Sequence, residues 1–363
     1  MQVLMVTPRF FPDIGGVERY AQAISRCMLG DGEDVTIFTT DATGKLSTYE
    51  VIDGIEMFRF RSFAPEDLYF FSPALFKALL RVKDYDLIHV LEYQSFAPLA
   101  VACSRKINRI PCVMTPHLGA SKLGMKSHRV YSQIGQYIID QMSKIIITSP
   151  AEVRILEYLG IDVRDRTVYI PNGVNPKYFA IKRTRYGKKL LFLGRLEKYK
   201  GIQYILFALT HLSHDVTLQV AGDGPYRREL EDLTLSLGLS KRVSFLGRIF
   251  GPKLFETLST CDILVLPSSY ESLPMSVLEA MASGMPVVCS RIVGLRGIVI
   301  DKENGIVLND STDVKGLANK LAWLLTNECR LRNYGAKARE QVLHLSWDNI
   351  WKKTAEVYHQ ILS

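Results

Sequence analysis

The stretch DILVLPSSYESLPMSVLEAMASGMPVVCS (262–290) decides how this chain folds. It opens with a short apolar run, DILVLPSS (262–269), and turns at Glu271-Ser272-Leu273-Pro274. It then enters a segment whose apolar positions Val277, Leu278 and Met281 share one helical face. A second apolar run, PVVCS (286–290), closes it. Neither run alternates apolar with polar residues, which suits strands covered on both faces. Strand, helix and strand joined this way form a crossover unit, and such units build parallel sheets.

The same pattern recurs outward from that stretch. Ahead of it lie KKLLFLGR (188–195), TLQVAGDG (217–224) and RVSFLGR (242–248), with helical stretches between them. The first half of the chain repeats it: QVLMVT (2–7), then the helical GVERYAQAISRCML (16–29), then DVTIFTT (34–40), IEMFRFR (55–61), LIHVLE (87–92), CVMTPH (112–117) and KIIITS (144–149). A polar stretch at 162–187, rich in Arg, Asp, Asn and Pro, joins the halves as a hinge should. The expected fold class is α/β, with two doubly wound domains facing each other across a cleft. The expected division is an N-terminal domain 1–165, a hinge 166–187, a C-terminal domain 188–345 and a closing helix 346–363 that carries Trp347, Ile350, Trp351 and Tyr358. Ligands of such sheets bind beyond the carboxyl ends of the strands, so the loops after strands are where chemistry belongs.

Composition agrees with two packed domains. At 363 residues, 47% hydrophobic and 23% charged, the chain is neither disordered nor fibrous. MQVLMVTPRF reads as a strand and loop rather than a secretory signal. No apolar run approaches the roughly 20 residues of a spanning helix, so a soluble, cytoplasmic protein is expected. The six cysteines are scattered without a C-x-x-C pair, which argues against a disulfide framework or zinc site. The formal charge is +8, with basic residues at Arg59, Arg61, Arg105, Lys106, Arg109, Lys122, Lys126 and Arg129. These suit phosphates or anionic lipid, or else a solvated surface with a mild basic excess. Nucleic acid is not expected, because no aromatic platform or groove-reading helix accompanies them.

The strand–turn–helix at 262–290 also carries the first candidate site. Ser272 suits a cap and Pro274 the first turn, leaving the amides of Met275 and Ser276 beside the positive end of the helix dipole, an anion site. Glu279 lies about one turn on, where a carboxylate can accept hydrogen bonds from both hydroxyls of a ribose. Glu271, in the loop, is free to reach a sugar. Taken singly, Glu279 is a dipole-stabilising helix residue and Glu271 a solvated acid; the pair in this context points to a ligand. A second segment, FLGRLEKYKGI (192–202), places Arg195 and Lys200 after a strand, where two cations can neutralise a diphosphate.

With these residues in hand, the chain resembles the retaining glycosyltransferases of the two-Rossmann GT-B fold, family 4. The resemblance rests on GGVERY (15–20), IPNGVN (170–175), GRLEKYKG (194–201), AGDGP (221–225), VSFLG (243–247) and ESLPMSVLEAMASGMPVV (271–288), in the family's order and over nearly the whole chain. It implies that Gly15 and Gly16 let the backbone approach the donor phosphate and acceptor. Arg195 and Lys200 would bind the diphosphate, Glu279 the ribose and Glu271 the transferred sugar. Leu273, Pro274, Met275 and Ser276 would complete the donor loop, and His117, ending CVMTPH, would contact the sugar. Arg248 and Ile249 would frame the base, and the tail helix would pack back on the N-terminal domain.

The implied reaction moves a hexosyl group from a UDP- or GDP-sugar to a hydroxyl of a glycan or lipid-linked acceptor, with no metal and no cofactor. Asp84-Tyr85-Asp86 fits a metal-binding D-x-D pattern but reads as the polar start of a strand. Two positions depart from the family: Val293-Gly294-Leu295-Arg296-Gly297 replaces a loop that usually ends in Pro-Glu, and Pro274 stands where many members carry Gly. The altered loop leaves two alternatives open, Arg296 touching the acceptor or diphosphate, or a drifted surface loop. Rival functions are a GT-B nucleotide-sugar epimerase and a non-catalytic glycosyltransferase-like subunit; a dehydrogenase is disfavoured because no G-x-G-x-x-G follows the first strand. Peripheral membrane contact is a further expectation for the basic region 122–142, whose Val130, Tyr131, Ile134, Tyr137 and Ile138 either lie on lipid or face the core.

Overall fold

The computed structural model describes residues 1–13, 15–64, 69–118, 134–183 and 186–363. The chain divides into two compact units, residues 1–173 with 347–363, and residues 174–346.

The first unit is built on an eight-stranded sheet. In chain order its elements are β1 (Gln2–Val6), α1 (Gly16–Gly30), β2 (Asp34–Asp41), β3 (Tyr49–Ile52), β4 (Ile55–Arg61), α2 (Pro73–Leu79), β5 (Leu87–Leu91), α3 (Ala97–Asn108), β6 (Cys112–Thr115), α4 (Gly135–Asp140), β7 (Lys144–Ile147), α5 (Pro150–Tyr158) and β8 (Thr167–Tyr169). The strand order is β3-β4-β2-β1-β5-β6-β7-β8. Every pairing is parallel except β3 with β4, which is antiparallel. Strands β1 and β5 are buried along nearly their whole length, and that is why their sequences read as continuous apolar runs. β3 shows the opposite pattern. It is an exposed edge strand, so it offers no apolar run and the sequence does not announce it.

The second unit carries a six-stranded, wholly parallel sheet. Its elements are β9 (Lys189–Leu193), α6 (Ile202–Thr210), β10 (Thr217–Ala221), α7 (Arg227–Ser236), β11 (Val243–Gly247), α8 (Gly251–Thr260), β12 (Ile263–Leu266), α9 (Met275–Ala282), β13 (Val287–Ser290), β14 (Gly305–Leu308), α10 (Val314–Leu325) and α11 (Glu328–Val342). The order β11-β10-β9-β12-β13-β14 reverses direction between β9 and β12. That reversal is the switch point where a doubly wound sheet opens a crevice beyond its carboxyl ends. In register, Ile263 and Leu264 pair with Leu190 and Leu191, so the loops after β9 and β12 leave the sheet side by side.

The chain returns to the first unit as α12 (Trp347–Leu362). Its Trp347, Ile350, Trp351, Val357 and Tyr358 are buried. Trp351 Nε1 donates to Asp31 at 2.6 Å, just past α1. No helix among the described residues is long and apolar enough to cross a membrane.

Candidate functional site

In the second unit the switch point is crowded. Gly201 has φ +76°, a left-handed conformation suited to glycine, and a Cβ there would stand 2.2 Å from the Pro267 carbonyl oxygen. The turn after β9 therefore touches the backbone after β12 directly. The contact brings Lys200 to Glu271: the ammonium lies 2.6 and 2.7 Å from the two carboxylate oxygens, and Ser268 Oγ donates to Oε1 at 2.8 Å. Their side chains are only 12% and 8% exposed. Burial alone would lower the Lys200 pKa, but the Glu271 charge outweighs it and the pKa is raised. Glu271 is thus not the free loop acid expected from sequence. It is half of a buried ion pair, because parallel pairing of β9 with β12 puts the two loops in contact.

The helix start also differs in detail. α9 begins at Met275, with Pro274 in the N-cap position and no side-chain cap, so Ser272 does not cap it and Pro274 stands before its first turn. The Ser272 hydroxyl is buried without a hydrogen-bond partner among the described residues. Met275 and Ser276 open the helix half-buried, and first-turn amides lack intrahelical partners. Leu273 and Glu279 are buried, at 5% and 4% exposed. Arg195 stands apart from the Lys200–Glu271 pair: it is 61% exposed and bonds Glu197 at 3.0 Å. Arg248 is exposed and Ile249 buried just after β11, two strands from β9, or about 10 Å across the same sheet end.

The departed loop is built into this site. A Cβ on Gly294 would lie 1.5 Å from the Ser272 carbonyl oxygen, so the 293–295 turn rests on the backbone beside Glu271. Beyond it is a cavity of about 430 Å³ lined by Ile292, Leu295, Val299, Arg291 and Arg296 among others.

In the first unit the loops after β1 and β6 carry the sequence-derived candidates. Gly15 is the N-cap of α1, and a Cβ there would stand 2.5 Å from a Glu18 carboxylate oxygen; Gly16 opens the helix with free space around it. Glu18 is buried and lies 3.3 Å from Arg9 Nε. Burial raises its pKa against the pull of Arg9. His117 follows β6 with φ +45°, an uncommon conformation for a residue with a side chain. Its ring packs edge-on to Tyr20 at 4.7 Å, and its Nε2 is buried with no hydrogen-bond partner among the described residues. Burial pushes its pKa down to about 3, so the imidazole is neutral at ordinary pH.

Two interior groups behind His117 escaped the sequence reading. Glu152 accepts the Leu118 N–H at 2.9 Å, the Thr148 N–H at 2.6 Å and the Thr148 hydroxyl at 3.1 Å. His89, wholly buried in β5, meets Tyr358 of α12 at 2.6 Å and Thr115 at 2.8 Å. Both look in sequence like ordinary helix and strand residues, and only the fold puts them behind His117.

Several basic residues turn out to be structural. Arg59 is buried, pairs with Glu50 at 2.8 Å and donates to the Phe11 carbonyl, so it does not face a ligand. Arg105 donates to the Gln141 carbonyl and to Ser143. Lys122, Lys126, Arg129, Val130 and Tyr131 lie outside the described residues. Of the apolar positions that follow, Ile138 is fully buried, the core alternative for that position. Asp86 accepts the Gln2 N–H at 2.7 Å immediately before β5, the strand-opening place read for it.

Comparison with known proteins gives a consistent picture. Residues 14–178 match the family described as Glycosyltransferase Family 4, and residues 177–341 the family described as Glycosyl transferases group 1. An uncharacterized glycosyltransferase of Methanocaldococcus jannaschii is 30% identical, the alignment covering 99% of this chain and 98% of that protein. Among solved structures, a sucrose-phosphate synthase from Thermosynechococcus elongatus aligns with a TM-score of 0.83 at 24% identity, over 99% of this chain and 98% of that one. Anabaena HepE in complex with UDP-glucose aligns with a TM-score of 0.81 at 20% identity, over 99% and 100%.

Proposed function

This chain belongs to the glycosyltransferases and has the GT-B fold, and from that premise we propose that it moves a hexosyl group from a nucleoside-diphosphate sugar to a hydroxyl of a glycan or lipid-linked acceptor, with retention at the anomeric carbon. The observation that carries the reading is the buried Lys200–Glu271 pair at the switch point of the second unit. Such a pair is weak evidence for stability, since burying both charges costs about as much as their attraction returns. A ligand that needs a cation and an acceptor side by side is the better account of it.

In this reading the diphosphate binds Lys200 and Arg195 and the amides of Met275 and Ser276, beside Leu273 and Pro274. Glu279 holds the ribose, Glu271 the sugar hydroxyls, and Arg248 with Ile249 frames the base. His117 serves the transferred sugar as a neutral hydrogen-bonding group, and Gly15 and Gly16 leave room for phosphate and acceptor. The bond between the anomeric carbon and the diphosphate oxygen breaks, and its electrons go to the diphosphate. Lys200, Arg195 and the helix start stabilise that growing charge. The acceptor oxygen bonds the anomeric carbon on the face that the diphosphate leaves, and its proton passes to the departing phosphate oxygen.

UDP- and GDP-sugars are the proposed donors; the UDP-glucose complex of the structurally similar Anabaena protein supports the first. The proposed chemistry needs no metal. The test is a thermal-shift screen of UDP-, GDP- and ADP-sugars, since a bound donor stabilises by mass action. Transfer assays on the best donor follow, with the product's anomeric configuration read by NMR. Stabilisation by no donor, product of inverted configuration, or activity lost to EDTA and restored by manganese each overturns part of the reading. Conversion of the donor alone would favour the epimerase, and binding without turnover the non-catalytic subunit.

A further inference from the structure

We infer that Glu152 is a positioning residue for His117, a buried carboxylate that holds the strained end of β6 so that the imidazole keeps one orientation. The inference rests on the proposed role of His117 toward the sugar. His117 sits at φ +45°, a conformation that costs energy for any residue with a side chain and persists only where the surroundings over-determine it. On its N-terminal side, Thr115 and Pro116 are fixed through their carbonyls, which accept the Glu92 and Tyr93 N–H groups at 3.0 and 2.8 Å. On its C-terminal side the Leu118 N–H donates to Glu152 Oε1 at 2.9 Å. The other carboxylate oxygen is fastened to Thr148 by the backbone N–H and the hydroxyl, at the junction of β7 and α5.

One fully buried side chain therefore staples the 116–118 turn at the end of β6 to the junction of β7 and α5. Its helical placement adds to this: Glu152 lies in the first turn of α5, after the Ser149 cap and Pro150, where the dipole favours a carboxylate. A carboxyl group that meets two backbone N–H groups and a hydroxyl at once fixes their relative placement, whereas an apolar side chain of the same size would leave those buried donors without an acceptor. What the carboxylate adds is direction, since both oxygens must be met at once.

The test is a double-mutant cycle on the full chain, with kcat and donor KM measured separately for Glu152→Ala, Glu152→Gln, His117→Ala and the two combinations. Thr148→Val serves as a control, because it removes one donor to the same carboxylate and leaves the Leu118 contact. Expected is a fall in kcat of about tenfold for Glu152→Ala with donor KM within about twofold, and almost no further loss when His117 is already alanine. Glu152→Gln should keep part of the rate, since its amide oxygen can still accept the Leu118 N–H, and it covers the case in which the alanine variant does not fold. Thr148→Val should lower the melting temperature and spare kcat. Losses that multiply in the His117→Ala background, or that fall on KM, overturn the inference while leaving His117 in the site. Unchanged transfer by His117→Ala alone overturns the role of His117, and the positioning role of Glu152 with it.

Discussion

The loop after β12 and the loop after β6 leave the carboxyl ends of two similar parallel sheets, yet opposite means hold them. Glu271 is held by another side chain, the Lys200 ammonium, with Ser268 behind it. His117 is held through its backbone, in a left-handed turn fastened by the buried Glu152. An ion pair can exchange partners when a charged ligand arrives, whereas a backbone clamp cannot. On the proposed reading, the exchangeable pair suits the grip on a diphosphate and the clamped backbone suits the presentation of one neutral group at a constant angle.

The largest expected effect breaks the first device. Lys200→Ala should lower transfer well beyond tenfold, since in the proposed site it removes the cation that faces the leaving group. It should also destabilise the fold by about 3 kcal/mol, because Glu271 is left buried without its counter-charge. Adding Glu271→Gln should return stability and not activity; recovery of both would make the pair structural. Glu279→Ala should cost about tenfold or more in transfer with little change in stability, and near-wild-type turnover would remove it from the site. Ser268→Ala is gentler. It deletes one hydrogen bond to the Glu271 carboxylate, worth about 1–2 kcal/mol, so the melting temperature should fall by a few degrees and donor affinity several-fold.

The pH dependence of stability separates the groups around the β6 loop by sign. His117 and His89 are pushed down to about 3 by burial, from 6.5. The unfolded chain takes up protons near pH 6.5 and the folded chain does not. Their stabilising contribution is therefore complete above pH 6.5 and lost as pH falls toward 3. Glu152 runs the other way. Burial lifts it from 4.5 to about 7 in spite of its backbone donors, so its contribution is complete below pH 4.5 and lost as pH rises through 7. Urea unfolding at pH 4.5, 6 and 8 checks this: the stability of wild type relative to Glu152→Gln should decline with rising pH by about 1 kcal/mol or more. A flat difference would mean that the folded Glu152 carboxyl ionises as it does in the unfolded chain, so that burial does not lift its pKa.

Much of the fold was legible because its physics is local. Residues buried on both faces must be apolar without interruption, so most strands of both sheets could be marked from runs such as LIHVLE and DILVLPSS. Edge strand β3 could not, being exposed, nor could the short β14 and β8, whose few residues look like loop. Of the site, the cations and glutamates near the strand ends can be marked one at a time by type and position, whereas Gly15, Gly16 and His117 come only from the family resemblance. The partnership of Lys200 with Glu271 cannot be read that way, nor can the burial of Arg59, because both depend on residues far away in the chain.

By itself, the sequence determined the α/β class, the places where loops follow strands, and the residue types available there. Periodicity and turn chemistry act within a few residues and need no partner to be read. Only the tertiary structure decided that β9 lies beside β12, and hence that Lys200 meets Glu271. It alone decided that Glu152 closes on Leu118 and that His89 meets a tyrosine from the far end of the chain. Strand order and helix docking are set by the packing of the whole core, and no local pattern encodes which two loops that packing will bring together.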